Sequence, residues 1–217
     1  MNILITAATS FEIQPSIDFL QTQNYRLNNN HFSILVSGIG GVSTAYHLTK
    51  TLRVTKPDFC LQAGIAGSFD QTITPGSVVC IEEEFMGDLG AAEGNDFKDV
   101  FDLSLMEGDH FPFIRKGLKN PIIQDGSQYG LPKVSSIGIN EITTNKKRID
   151  LLRKKFNPGI ESMEGAAFHY VCLQENINFL QIRAVSNMVG ERNKAKWNLV
   201  EAVDNLNKKI IEIARSF

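Results

Sequence analysis

The stretch from Ile160 to Asn187 constrains the fold most, because it joins a polar box, a helix pattern and a strand pattern without a break. The box is Ser162-Met163-Glu164-Gly165. Small and apolar residues at helical spacing follow it, and residues 179–185 then have the continuous apolar pattern of an interior strand. Ligands of open α/β sheets collect beyond the carboxyl ends of the strands. Glu164 and Asn187 are therefore predicted to converge on one ligand, with Arg183 beside them.

Composition limits the class of protein. A chain of 217 residues suits one α/β domain that buries roughly 70% of its unfolded surface. A net charge of -2 gives no electrostatic reason to expect nucleic acid or an anionic membrane as a partner. No apolar run approaches the ~20 residues of a membrane helix, and no secretory signal is predicted. Cys60, Cys80 and Cys172 lie far apart in apolar contexts, which favours buried thiols in a reduced cytoplasmic setting.

Three further strand patterns end in small residues. Residues 3–5 lead into the loop Thr6–Ser10, and a helix is predicted from Phe11 with Ser10 as its N-cap. Residues 32–36 lead into Gly38-Ile39-Gly40, and residues 59–63 into Gly64-Ile65-Ala66-Gly67, which we predict to be a turn. Such turns bring backbone N–H groups close to a ligand.

Neither a cofactor nor a metal is predicted. Gly38-Ile39-Gly40 lacks the third glycine of a dinucleotide fingerprint, because position 43 is serine, and it follows the second strand rather than the first. The run Glu82-Glu83-Glu84 cannot gather around one ion, since adjacent strand residues point to opposite faces of a sheet. We therefore expect a site that works without either group.

The remaining segments predict supporting structure. Residues 85–133 are rich in Gly, Asp and Phe with weak periodicity, which indicates a long loop or excursion that serves as a lid or a subunit contact. Residues 134–139 have a strand pattern, and residues 149–156 a helix pattern. Residues 195–217 carry one apolar stripe and are predicted to form an amphipathic closing helix.

The pair Met163-Glu164 and the strand end Arg183-Ala184-Val185-Ser186-Asn187 resemble motifs of the nucleoside phosphorylase and nucleosidase superfamily. The longer run from Ser186 to Asn193, with Trp197 after it, is similar to the futalosine hydrolase family within that superfamily. The resemblance covers nearly the whole chain. It implies an α/β fold, a single-domain three-layer α/β/α sandwich over residues 1–217 with a mixed central sheet.

The resemblance also implies roles for individual residues. Glu164 would bind the ribose hydroxyls, with Met163 as an apolar wall under the sugar. Glu12 would activate the attacking water, and Arg183 would lie near that water. The remaining implied contacts are the backbone of Ala66 and Gly67 against ribose and base, Ile142 against the base, and Trp197 and Arg192 around the far end of the substrate.

Asn187 departs from the aspartate that nucleosidases acting on 6-aminopurines usually carry here. An amide offers one acceptor and two N–H donors but no proton to give. Its NH₂ suits O6 of hypoxanthine, and its carbonyl suits N7 once N7 is protonated. The loops Thr6–Ser10 and Gly64–Ser68 contain no Arg or Lys to hold phosphate. The sequence therefore favours hydrolysis of a 6-oxopurine nucleoside.

The reaction that we expect is hydrolysis of futalosine to hypoxanthine and dehypoxanthinyl futalosine, a step of menaquinone biosynthesis. Two alternatives in the same superfamily are a methylthioadenosine/adenosylhomocysteine nucleosidase and a purine nucleoside phosphorylase. From another class, the chain could be a nucleoside-binding protein without activity. The expected partner is a small-molecule purine nucleoside, with no nucleic acid and no membrane, and the resemblance implies a homo-oligomer, a dimer or larger.

Overall fold

The computed structural model of the protein describes residues 1–94, 96–123 and 128–217. Within them the helices are α1 (Ser10–Thr22), α2 (Gly41–Thr55), α3 (Lys146–Phe156), α4 (Gly165–Gln174) and α5 (Leu199–Ser216). The strands are β1 (Asn2–Ala7), β2 (Arg26–Leu27), β3 (Asn30–Val36), β4 (Phe59–Ser68), β5 (Val78–Met86), β6 (Gly90–Glu93), β7 (Asp96–Asp99), β8 (Leu118–Lys119), β9 (Lys133–Gly138), β10 (Ile160–Ser162) and β11 (Asn178–Met188).

The central sheet is mixed, in the order β10-β9-β5-β11-β4-β1-β3-β2, with β8 paired to β5. Strands β3, β1, β4 and β11 are parallel, whereas β11 and β5 are antiparallel. The sheet also curls back on itself, because β10 pairs with the end of β4 at Gly67 and Ser68. Strands β4, β11, β5, β9 and β10 thus form a closed ring, and its rim is where the functional residues lie.

Helices cover both faces of the sheet. Ile3 and Ile5 of β1 belong to one apolar cluster with residues of α1 and α5. Leu4, between them, belongs to a second cluster with residues of α2 and α4. This alternation is what a strand buried on both sides requires. The predicted three-layer α/β/α arrangement with a mixed sheet is confirmed.

Several predicted boundaries were wrong in an informative way. Gly64–Gly67 is not a turn, because β4 continues to Ser68 and pairs with β11 along that length. The N-cap of α1 is Thr9 rather than Ser10. The closing helix begins at Leu199, after a short 3₁₀ turn at Lys194–Lys196. Each error concerns an element end, where local pattern competes with sheet pairing and capping.

The excursion predicted at residues 85–133 contains more regular structure than expected. It begins with the end of β5 and includes the β6–β7 hairpin and β8, while residues 95 and 124–127 lie outside the described residues. All three cysteines are buried free thiols, as predicted. Across the described ranges, no helix combines the length and apolar character that a membrane crossing demands.

Candidate active site

A cavity lies at the rim of the ring, at the carboxyl ends of β1, β4 and β11. Its empty space, counted to the open mouth, is about 820 Å³. Eight of the ten residues singled out from the sequence line it: Glu12, Ala66, Gly67, Ile142, Met163, Glu164, Asn187 and Trp197. Arg183 and Arg192 do not line it.

Glu164 is the N-cap residue of α4 and is held by two donors from other elements. Its Oε1 accepts the N–H of Gly40 at 2.9 Å, and its Oε2 accepts Nη1 of Arg183 at 3.3 Å. Glu164 is 5% exposed. The N–H of the glycine turn before α2 is therefore bonded to a carboxylate of the protein. Gly40 can present this N–H because its φ is +86°, a conformation that favours glycine.

Arg183 lies behind the cavity wall, 1% exposed. Besides Glu164 it donates Nη2 to Gln62 Oε1 at 3.0 Å. Its guanidinium packs directly against the backbone of β4, since a Cβ at Gly64 would lie 2.3 Å from Nη1. Arg183 therefore acts on the cavity through Glu164. The same Cβ would lie 3.0 Å from Oε1 of Glu12, so Arg183 and Glu12 flank one point of β4, and the expected place of Arg183 near the attacking water stays a prediction.

The glycine of the polar box also has a packing reason. A side chain at Gly165 would not fit, because its Cβ would lie 1.8 Å from Oε1 of Glu84. This oxygen accepts a hydrogen bond from Nε2 of Gln181 at 2.8 Å. Burial raises the pKa of Glu84 to about 7, against the hydrogen bond from Gln181 and the charge of Arg183. Burial likewise lowers the pKa of His169 on α4 to about 4. Glu84, Gln181 and His169 thus form a buried polar layer against the first turns of α4.

Glu12 lines the cavity from the first turn of α1 and is buried. Its Oε2 accepts the N–H and the hydroxyl of Thr9, each at 2.9 Å, as in a capping box. Its Oε1 accepts the N–H of Ile65 on β4 at 3.1 Å. Three donors fix one orientation of this carboxyl group. The small-residue loop before α1 is what lets the helix start approach β4 so closely.

Asn187 reaches the cavity through a bulge. The register of β11 against β4 shifts between Val185 and Asn187, which pairs Asn187 with Gly67. Its Nδ2 donates to the carbonyl of Met188 at 2.9 Å, and its Oδ1 lies 2.8 Å from the hydroxyl of Ser186. Because a carbonyl can only accept, the Met188 contact fixes which way the amide points. One N–H and one oxygen lone pair remain for a ligand.

The sequence reasoning missed several residues that line the cavity. Phe11 and Ile39 are more than half exposed at its mouth. Phe11 lies in the first turn of α1 and Ile39 in the glycine turn, two segments that the sequence had already singled out. Their place in these segments was the available signal. Further missed members are Thr9, Ile139, Glu161 and Ser186.

Trp197 closes one side of the cavity. Its Nε1 donates to the carbonyl of Glu191 at 3.0 Å, which fixes the indole. The exposed Arg192 packs its guanidinium over this ring, 5.9 Å from the centroid. Arg192 does not line the cavity, and its guanidinium lies beside an indole that does.

The charge balance of the cavity is negative. Glu12, Glu161 and Glu164 contribute carboxyl groups, and no Lys or Arg lines the cavity in the part of the chain that the structure describes. The nearest buried cation, Arg183, is already bonded to Glu164 and Gln62. A neutral ligand with hydroxyl donors suits these groups, whereas an inorganic anion does not.

Comparison with known proteins assigns the family. Residues 4–216 match the profile of the phosphorylase superfamily. The chain belongs to the phosphorylase superfamily. The superfamily membership expected from the Met163-Glu164 pair and the Asn187 strand end is thereby confirmed, and the match spans the cavity and all five helices.

Relatives with two activities in this superfamily are similar to the chain. The futalosine hydrolase of Thermus thermophilus is 29% identical over 186 residues, which are 85% of this chain and 81% of that protein. The 5'-methylthioadenosine/S-adenosylhomocysteine nucleosidase of Geobacillus kaustophilus is 30% identical over 171 residues, 76% of this chain and 71% of that protein. The fold matches a solved nucleosidase of the latter kind from Helicobacter pylori, with TM-score 0.81 and 16% identity over 100% of this chain and 99% of that one.

Proposed function

We propose that the protein hydrolyses the N-glycosidic bond of futalosine, releasing hypoxanthine and dehypoxanthinyl futalosine, a step of menaquinone biosynthesis. The observation that carries the proposal is one cavity lined by both the Glu164 carboxylate and the Asn187 carboxamide. The likeness to the futalosine hydrolase of Thermus thermophilus supports it over most of the chain.

The ribose half of the substrate suits Glu164. Cleavage of the bond passes through an oxocarbenium-like sugar, so a group that holds the sugar tighter in that state accelerates the reaction. A carboxylate can accept hydrogen bonds from both the 2′- and 3′-hydroxyls, and such charge-assisted bonds are about twice as strong as neutral ones. Met163 lines the cavity next to Glu164 and offers a polarisable apolar wall under the sugar.

The base half suits Asn187. Its remaining N–H can donate to O6 of hypoxanthine, and its remaining oxygen lone pair can accept from N7 once N7 carries a proton. This pair of bonds favours the departing 6-oxopurine. A 6-amino group would meet the N–H of the amide, donor against donor, unless the amide gave up its bond to the Met188 carbonyl.

Water is the nucleophile that fits Glu12. As general base its carboxylate takes a proton from water, the water oxygen bonds to C1′, and the bond from C1′ to N9 of the base breaks. The base leaves with the electron pair of that bond and takes a proton from the solvent at N7, because Asn187 has none to give. Phosphate in place of water would meet three carboxyl groups in a cavity that no described Lys or Arg lines. The N–H of Gly40, a donor such an anion would need, is bonded to Glu164.

Trp197 and Arg192 fit the aromatic acid of the futalosine tail. The indole offers a flat surface at the cavity wall, and the guanidinium lies within 5.9 Å of that ring, close enough to pair with a carboxylate that extends past it. Inosine has the same base and ribose without the tail. If Trp197 and Arg192 bind the tail, KM should be lower for futalosine than for inosine.

A methylthioadenosine/adenosylhomocysteine nucleosidase is the second candidate, favoured by the relative from Geobacillus kaustophilus. Asn187 separates the two. We expect Asn187→Asp to lower turnover of futalosine and inosine and to raise turnover of methylthioadenosine, because a carboxyl group can accept from a 6-amino group and donate a proton to N7. The measurement is kcat/KM for all three substrates.

The control for that exchange is Asn176→Asp, an exposed asparagine after α4. It should leave all three rates at the native values. If Asn187→Asp leaves both the rates and the order of preference unchanged, Asn187 has no part in recognising the base.

The same proposal includes a cytoplasmic setting and a homo-oligomer. The three buried free thiols suit a reducing compartment. Phe11 and Ile39 are exposed at the mouth of the cavity, and the exposed Val42 and Tyr46 follow Ile39 on α2. A second copy of the chain would cover this surface and narrow the mouth of the cavity. The molecular mass in solution tests whether the chain forms this oligomer.

A further inference from the structure

Glu84 on β5 is a fully buried carboxyl group that does not line the cavity and for which the reaction above has no use. Its Oε1 accepts Nε2 of Gln181 at 2.8 Å and lies against Gly165, the residue that follows Glu164. Its Oε2 is buried and has no hydrogen-bond partner among the described residues. A carboxyl group in such a place costs free energy, most of all when it is charged.

The groups packed around Glu84 leave one cation to pair with it. On α4, Nδ1 of His169 donates to the carbonyl of Leu118 at 2.9 Å, since a carbonyl only accepts. Burial lowers the pKa of His169 to about 4, so this side chain is uncharged near neutral pH. On β9, the hydroxyl of Ser136 faces Glu84 without closing a hydrogen bond to it. Arg183 is the only lysine or arginine that the described part of the chain buries.

Arg183 has one buried donor to spare. Its Nη1 is bonded to Glu164 and its Nη2 to Gln62, but its Nε–H has no acceptor within the described ranges. Arg183 follows Gln181 by two residues on β11, so both side chains leave the same face of that strand, and Gln181 binds Glu84. A carboxyl oxygen without a donor and an N–H without an acceptor are thus left in one polar layer.

We propose that Glu84 is a positioning residue for the ribose: while neutral it leaves Arg183 to Glu164, and once ionised it competes for Arg183 and loosens Glu164. This inference rests on the proposed function for the role of Glu164 as the ribose-binding group. One guanidinium cannot neutralise two buried carboxylates. When Glu164 loses its cation, it either takes up a proton or turns away from the hydroxyls, and both changes weaken ribose binding.

The ionisation of Glu84 falls within the pH range of ordinary assays. Burial raises its pKa to about 7, and the charge of Glu164 acts in the same direction. The hydrogen bond from Gln181, the charge of Arg183 and the hydroxyl of Ser136 act in the opposite direction. Glu84 is therefore about 10% ionised at pH 6 and about 90% ionised at pH 8. Ribose binding should weaken as the pH rises through 7.

Binding of two analogues that resist hydrolysis tests this without catalysis. Formycin B is an inosine analogue in which a carbon–carbon bond joins the base to C1′, and its 2′-deoxy form lacks one hydroxyl that Glu164 would bind. Isothermal titration calorimetry gives both Kd values. The ratio of Kd for the deoxy analogue to Kd for formycin B measures the contribution of that hydroxyl. In the native protein this ratio should fall about 10-fold from pH 6 to pH 8, the worth of one hydrogen bond.

The ratio removes the effect of another group that titrates in this range. Glu161 lines the cavity, and burial raises its pKa to about 7 as well. Its charge would change the Kd of both analogues alike, because they carry the same base and differ only at the 2′ position. A change in the ratio therefore reports the carboxylate that binds the ribose.

Glu84→Gln should give the same ratio at pH 6 and at pH 8, close to the native ratio at pH 6. Glutamine has the same length, its carbonyl can accept from Gln181, and it has no charge to change. Glu83→Gln is the matched control. Glu83 is a half-buried carboxyl group on the same strand whose pKa is also raised by burial, but it faces Lys119. This variant should keep the native pH dependence.

Two results would overturn the proposal. One is a native protein whose ratio does not fall between pH 6 and pH 8, which needs no variant and so does not depend on Glu84→Gln folding. The other is a Glu84→Gln protein that keeps the native fall, since a merely structural role predicts that. A protein that binds neither analogue contradicts this role and the proposed function together. Futalosine left intact by a protein with the pH-dependent ratio contradicts the hydrolase activity alone.

Discussion

Glu12→Gln is expected to lower kcat for base release about 10²–10⁴-fold, the usual contribution of a general base. Glutamine keeps the length of the side chain, and its carbonyl can still accept the N–H of Ile65. The hydroxyl of Thr9 can rotate to accept from the new NH₂ group, whereas the backbone N–H of Thr9 loses its acceptor. The variant therefore removes the proton acceptor with little change of shape, so KM should remain close to the native value.

Steady-state kinetics with futalosine check this expectation. Asp18→Asn is the matched control, because Asp18 lies exposed on the same helix and bonds only Gln14 among the described contacts. It should leave kcat and KM unchanged. A Glu12→Gln enzyme with native kcat would show that another group activates the water.

Glu164→Gln should have the second largest effect, on the ribose and on stability together. The amide weakens the bonds to the 2′- and 3′-hydroxyls, each worth about 1.5–3 kcal/mol when the acceptor is charged. We expect kcat/KM for inosine to fall about 10²-fold or more. For 2′-deoxyinosine, which lacks one of the two hydroxyls, kcat/KM should fall less. The ratio of kcat/KM for inosine to that for 2′-deoxyinosine should therefore decrease.

The stability effect has its origin in Arg183. This guanidinium is 1% exposed, and its one described salt bridge is to Glu164. Breaking a buried ion pair by removing one partner costs about 3–5 kcal/mol, less what the amide retains as a neutral hydrogen bond. Thermal unfolding should show a lowered Tm. Glu175→Gln at the exposed end of α4 is the control, and equal Tm values for the two variants would mean that Arg183 does not depend on Glu164.

The residues expected to lie together do so where a motif and an element end coincide. Glu164 at the start of α4 and Asn187 near the end of β11 were expected to meet, and both line the cavity. Helix starts and strand ends can be recognised from local pattern, and the α/β topology brings them to one edge of the sheet. Local pattern and the order of the elements were enough to predict that Glu164 and Asn187 lie at the same edge of the sheet.

What could not be predicted depends on pairing between distant strands. Pairing with β11 makes Gly64–Gly67 part of a strand, and the curl of the sheet that joins β10 to β4 brings Glu161 to the cavity. Glu161 lies one residue before the polar box, and no periodicity distinguishes a β10 side chain that faces the cavity. The burial of Arg183 behind Gly64 could not be predicted either, because it depends on packing and not on the strand-end motif.

The central claim is that a carboxylate and a carboxamide bind one purine ribonucleoside by its sugar and its 6-oxo base. Incubation of the purified protein with futalosine, inosine and methylthioadenosine, with and without phosphate, followed by measurement of free base, tests it most directly. We predict hypoxanthine from futalosine at a rate that phosphate does not change, a higher KM for inosine, and much slower release of adenine. Release of adenine in preference to hypoxanthine, or release that requires phosphate, would contradict the account.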